Sequence, residues 1–209
     1  VSERTRPLPP GVELFSSWSH GLGAMLALGG LVALLGNAGA RGRSWASLLP
    51  YGGSLVVLYA ASALYHAHQG RWKRLFQRLD HVAIYLVIAG SYTPFAVLKL
   101  GTPLALGLCG ALWGLAALGT VLEFLPGART ARVVLCLTMG WLAMLVIRPM
   151  AQALGSAGLS WVVAGGLLYT LGALFYVLDK RWPVAHGIFH VFVLGGSASH
   201  FIAVWAYVI

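Results

Sequence analysis

Residues 102–123 read TPLALGLCGALWGLAALGTVLE, and the first charge in that run is its last residue, Glu123. As a helix rising 1.5 Å per residue, such a run crosses about 30 Å, the hydrocarbon thickness of a bilayer. It is bounded by turn signals on both sides, Gly101-Thr102-Pro103 and Pro126-Gly127. Six further runs of the same kind cover residues 16–38, 48–68, 79–99, 131–152, 158–178 and 184–208. Apolar residues make up 59% of the 209 positions and charged residues 9%, where a soluble domain carries roughly 25% charged. So few charges cannot cover a water-exposed surface, which excludes a soluble domain, a disordered chain and a nucleic-acid reader. The fold predicted is all-α: a polytopic membrane protein of seven transmembrane helices forming one domain over 1–209, with 1–12 a short soluble tail.

Lys and Arg fix the expected orientation. Arg4, Arg6, Arg71, Lys73, Arg74, Arg78, Arg129, Arg132, Lys180 and Arg181 fall on the side of the N-terminus. Arg41, Arg43, Lys99 and Arg148 fall on the other side. The richer side is cytoplasmic, so the N-terminus lies inside and, after seven crossings, the C-terminus outside. The run after Glu13 lacks an Ala-x-Ala cleavage site and reads as a retained helix. Cys109 and Cys136 sit inside apolar runs, which offers neither a disulfide framework nor a CxxC metal site. Gly110-x-x-x-Gly114 predicts a close helix contact, and Pro94 a bend in the third helix whose freed carbonyls Ser91 or Thr93 re-satisfies. The basic segment 70–78 reads as a loop facing anionic head groups.

Ionisable groups are costly in hydrocarbon, so each one inside a predicted helix is a candidate functional residue. His66, Asp80, His81, His186, His190 and His20 all fall a turn or two inside the same leaflet. His186 and His190, four residues apart, project from one helix face, a spacing that suits two ligands of one metal ion. With His66 as the third, the site has three imidazole donors and an open position for water. Asp80 is placed to orient that water and accept its proton. Ser62, one turn before His66, can donate a hydrogen bond to the site. The same histidines can also satisfy one another and backbone carbonyls without any ion. His68 and His81 read as interfacial, His20 as a partner behind the site, and His200 as a buried hydrogen-bonded histidine about 21 Å beyond His186.

Three motifs carry a family resemblance: Ser62-Ala-Leu-Tyr-His66; Leu79-Asp80-His81 running into Ala89-Gly90-Ser91-Tyr92-Thr93-Pro94; and His186-Gly-Ile-Phe-His190 followed by Ser199-His200-Phe201. Together with Leu137-Thr-Met-Gly-Trp141 they resemble the progestin and adipoQ receptor family, in its bacterial hemolysin III branch. One departure stands at the first helix. The family shows Glu-x-x-Asn-x-x-x-His where this chain has Glu13, Ser16 and His20. The resemblance implies seven helices in a bacterial cytoplasmic (inner) membrane, and Zn2+ on His66, His186 and His190. It also implies Asp80 reaching the metal through water, with Ser62 beside it. Membrane lipids are then the expected partners, with no role for nucleic acid. The expected function is membrane-lipid homeostasis, with hydrolysis of a ceramide-like lipid amide as the chemistry. The alternative is a non-enzymatic sensor in which zinc is structural. Transport ranks third, because polar groups do not line the whole membrane depth.

Overall fold

The computed structural model describes residues 8–42 and 45–209, and all regular structure among them is helical. The elements are α1 (Pro10–Ala40), α2 (Leu48–Ala67), α3 (Gly70–Lys99), α4 (Thr102–Leu122), α5 (Arg129–Trp141), α6 (Ile147–Leu178) and α7 (Val184–Ala203). A 3-10 stretch, Leu142–Val146, joins α5 to α6, and α7 closes in a π turn, Val204–Val208. Helices are the expected solution in lipid, where no water satisfies a free N–H or C=O. Among the described residues, six segments are long and apolar enough to cross a membrane, one of them the fifty-residue stretch Arg129–Leu178.

Run straight, that stretch would measure about 75 Å, more than twice the hydrocarbon thickness. It folds back instead. The Arg129 guanidinium donates to the Tyr176 carbonyl at 2.9 Å and to Asp179 Oδ1 at 2.8 Å, and Trp141 Nε1 donates to Thr170 Oγ1 at 3.2 Å. Midway between these partners Gly155 has φ 68° and ψ 177°, a region open essentially to glycine alone. The break between α5 and α6 is pinned separately, since Tyr92 Oη donates to the Gly140 carbonyl and accepts from the Ala143 N–H.

The closest packing runs α1 on α2, α2 on α3 and α6 on α7, while α1 also meets α7 and α3 meets α4. The interior holds Tyr51, Tyr85, Leu34, Leu48, Leu112 and Met139, whereas Trp18, Met25, Leu26, Leu106 and Leu145 face outward. That apolar exterior suits lipid and not water. The acidic groups gather at one end. Glu13, Asp80, Glu123 and Asp179, the four acidic residues described, lie toward the end that holds Lys73, Arg129 and Arg132. At the other end the Arg41 side chain donates to the carbonyl of Ile209.

Several expectations are corrected. Residues 70–78 are not a loop; they form the first two turns of α3, which begins at Gly70 with φ 64°. α1 begins at Pro10, so 10–12 are helix rather than tail, and Arg4, Arg6 and Arg43 lie outside the described residues. Gly110 and Gly114 face outward with nothing within 4 Å of a built Cβ. The close contacts sit at other glycines. A Cβ on Gly90 would come 2.5 Å from the Pro50 carbonyl oxygen, and one on Gly119 would come 2.6 Å from the Tyr85 ring. At Pro94, Thr93 Oγ1 donates to the Ala89 carbonyl, while Ser91 Oγ has no partner within the protein.

These contacts set a measurable contrast. Gly90→Ala forces α2 and α3 apart and should cost about 1–3 kcal/mol, read as a lower melting temperature in detergent. Gly110→Ala fills open space and should leave the melting temperature unchanged or raise it. Equal effects would mean that α2 and α3 do not meet at Gly90.

Candidate metal centre

α2 and α7 bring three imidazoles together. His66 lies one residue from the end of α2, and His186 and His190 occupy the first two turns of α7. The ring centroids form a near-equilateral triangle: His66–His186 5.1 Å, His66–His190 4.9 Å and His186–His190 4.9 Å. One ligand atom from each lies within 4.8 Å of the others, and all three residues are buried. Among the described residues this is the group able to hold a metal ion.

Two carboxylates orient the cluster. Glu13 Oε2 lies 2.7 Å from His66 Nδ1, and Asp179 Oδ2 lies 3.0 Å from His186 Nδ1. Each carboxylate is held in turn by a cation, with Lys73 Nζ 2.7 Å from Glu13 Oε1 and the Arg129 guanidinium 2.8 Å from Asp179 Oδ1. A carboxylate accepts, so each imidazole keeps its proton on Nδ1 and leaves its lone pair on Nε2. Those two Nε2 atoms are 3.3 Å apart. Two lone pairs at that distance repel unless a cation lies between them. A proton would serve two imidazoles, whereas a metal ion serves three. Burial alone would raise the carboxyl pKa of Asp179, but the hydrogen bonds from His186 and Arg129 outweigh it and hold the group below the usual carboxylate range.

The remaining predicted residues surround this triangle. Asp80 lies within electrostatic reach of His66 and His186. Asp80, Ser62 and His20 line one cavity of about 510 Å3 that continues past Ile88, Phe95 and Met144 and is otherwise mainly apolar. Ser62 is buried, with its side chain beside the Asp80 carboxylate. His20 stacks on His190 at 3.7 Å between centroids and meets Tyr59 edge-on at 4.9 Å. His81 Nδ1 pairs with Glu123 Oε2 at 3.1 Å, a carboxylate shared with Arg132, and His68 bonds back to its own helix at the Leu64 carbonyl. His200 uses Nε2 toward the Val162 carbonyl at 3.1 Å and lines the same cavity as Asp80.

Sequence reasoning assigned no role to Glu13 and overlooked Asp179. A signal for both was available. The whole chain has five acidic residues, and an acid in so apolar a chain needs a partner. Glu13 is two helical turns before His20, and Asp179 precedes His186 across the Trp182-Pro183 turn. What the sequence could not supply was distance, since Glu13 and His66 are fifty-three positions apart.

Comparison with known proteins places the chain in a family. A family profile described as "Haemolysin-III related" matches residues 11–201. "Hemolysin-3" of Bacillus cereus is 40% identical over 202 residues, covering 94% of this chain and 92% of that protein. "Hemolysin-3 homolog" of Bacillus subtilis (strain 168) is 37% identical over 201 residues, 93% of each chain. The human "Monocyte to macrophage differentiation factor" is 34% identical over 165 residues, 75% of this chain and 68% of that protein. The chain is an integral membrane protein and belongs to the haemolysin-III related family, with relatives in the wider progestin and adipoQ receptor group.

Proposed function

We propose that this chain crosses the membrane seven times with its basic end in the cytoplasm, binds one zinc ion on His66, His186 and His190, and acts in membrane-lipid homeostasis as a hydrolase of ceramide-like lipid amides. The seven crossings follow from counting the two limbs of Arg129–Leu178 separately, and the orientation from the basic residues at the histidine end. The observation that carries the metal reading is the 3.3 Å between His66 Nε2 and His186 Nε2. Zinc–nitrogen bonds of about 2.0–2.1 Å at tetrahedral angles put two donor nitrogens roughly 3.3–3.4 Å apart. Three neutral donors with one position open is the pattern of a catalytic zinc site.

When bound, zinc supplies a Lewis acid that polarises a carbonyl and makes water a better nucleophile at neutral pH. The rest falls to the chain. Glu13 and Asp179 hold two imidazoles with their Nε2 atoms toward the open side. Asp80 takes the proton of the attacking water and returns it to the leaving amine nitrogen. Ser62 Oγ, beside Asp80, donates to the carbonyl oxygen of the amide. The apolar cavity accepts the acyl chain and keeps bulk water from the site. A second reading keeps the ion as a staple, because the histidines tie α2 to α7, which are also linked by Tyr59 Oη, 2.6 Å from Ser197 Oγ and 3.4 Å from the Val193 carbonyl.

Purified protein should carry about one zinc per chain. His66→Ala, His186→Ala and His190→Ala should each lose most of it, while His68→Ala and His81→Ala keep it. Asp179→Asn should weaken zinc affinity about 10–100-fold, measured by chelator competition on protein that remains folded. Similar loss in all five alanine variants would point to unfolding and remove the assignment.

Asp80→Asn separates the two readings. An amide keeps a hydrogen bond but cannot take a proton. Hydrolysis of a short-chain ceramide should therefore fall on the order of 10²–10⁴-fold, with zinc content and melting temperature near wild type. Full turnover in Asp80→Asn, or none in wild-type protein that holds zinc, leaves the staple.

A further inference from the structure

Two cavities lie near the three-histidine cluster, and the second includes His66 in its lining. The first approach is the largely apolar cavity that holds Asp80. The second is a more polar surface pocket of about 800 Å3 where α1, the end of α2 and the start of α3 meet. Glu13, Ser17, Tyr65, His66, Gln69 and Lys73 are among its lining residues. We propose that this pocket is the port through which a divalent cation enters and leaves the cluster, with Glu13 as the carboxylate the ion meets first. The proposal rests on the metal reading above and adds to it the route.

The order of groups along the pocket carries the argument. The Glu13 side chain is 13% exposed and that of His66 is 0% exposed, with Oε2 and Nδ1 2.7 Å apart. The carboxylate therefore stands between solvent and the imidazole. It is a hard oxygen donor, able to take a cation that still carries part of its water. When Glu13 turns to the ion it lets go of Nδ1. The His66 ring is then free to turn about its Cβ–Cγ bond, a soft torsion, and to present nitrogen toward the pocket. Restoring the Glu13 contact returns the ring to its place beside His186. Asp179, the other carboxylate on the cluster, lines neither cavity and only positions His186.

The other approach is less favourable to a cation. Its deeper walls are mainly apolar, and stripping water from a divalent ion there is costly. Its basic end is lined by Arg129 and Arg132, two guanidinium groups that stay charged. Glu123 at that end already pairs with His81 and Arg132. The port between α1 and α3 has one lining cation, Lys73, and Glu13 holds it at 2.7 Å.

The test measures exchange rates on intact protein, with cobalt(II) absorption as the readout of binding. In a chain carrying Cys109→Ala and Cys136→Ala, a cysteine is placed either in the port, Gln69→Cys, or in the apolar cavity, Val133→Cys. Each is compared before and after a bulky thiol reagent, so that folding is controlled within one sample. Modification at position 69 should slow cobalt uptake and chelator-driven release by about tenfold or more, with equilibrium cobalt content kept. Modification at position 133 should leave both rates unchanged. Lys73→Gln should speed uptake several-fold at low salt, and the gain should shrink as salt screens the charge. Slowing at 133 instead of 69, slowing at neither, or no effect of Lys73→Gln would overturn the port while leaving the metal site standing. A wild-type chain that binds no cobalt and no zinc overturns the metal reading, and the port with it.

Discussion

Two imidazoles turned so that their lone pairs meet is the constraint from which the rest of this structure is best understood. His66 and His186 come from helices far apart in sequence, and their Nε2 atoms lie 3.3 Å apart. Such an approach persists only if something holds each ring from behind. Glu13 and Asp179 do so, and Lys73 and Arg129 hold those carboxylates in turn. Four helices thus send charge to one point, since the anchors come from α1, α3, α5 and the end of α6. The order is carboxylate behind imidazole and cation behind carboxylate. In hydrocarbon, where an isolated charge is expensive, that pairing is what allows ionisable groups to sit inside the bundle.

The same pairing explains why the bundle is polarised. Elsewhere most of the buried contacts are made by aliphatic and aromatic side chains or at glycine, and the outer surface is largely apolar. The basic residues at the histidine end follow the usual bias of membrane proteins, yet Lys73, Arg129 and Arg132 are also engaged with carboxylates. A residue read as an orientation signal is here also part of the support of a site. α5 packs least, with Met139 its one buried residue, and it forms a wall of the apolar cavity. Tight packing of α1, α2 and α3 holds the histidine end in place, while the looser side leaves room for a chain-like ligand.

Much of the fold was legible because hydrocarbon imposes one simple rule, about twenty apolar residues per crossing. That rule located the runs and failed at their ends. Residues 70–78 are helical although polar, because a helix that leaves the membrane need not stop at its surface. The motif Gly110-x-x-x-Gly114 was misleading, since small residues mark a contact only where another helix is present, and α4 turns that face outward. His66, His186 and His190 were legible from spacing and depth together, as was the neighbourhood of Asp80 and Ser62. Glu13 and Asp179 were not, because their partners lie across the bundle and nothing local in the sequence marks the pairing. The stacking of His20 on His190 was out of reach for the same reason.

The turn at Gly155 leaves α6 joined to its preceding limb without a loop. Helix position and helix rotation are therefore locked together there. One residue added next to Gly155 would turn all that follows by about 100°. Val162, Gly166, Tyr169 and Ala173, which line the cavity, would then face elsewhere, and His200 would lose the Val162 carbonyl. The same addition after Gly127, where helices are separated by turn residues, would be absorbed by the turn. Length is thus held fixed at the Gly155 connection, because there the backbone itself measures out the shape of the cavity.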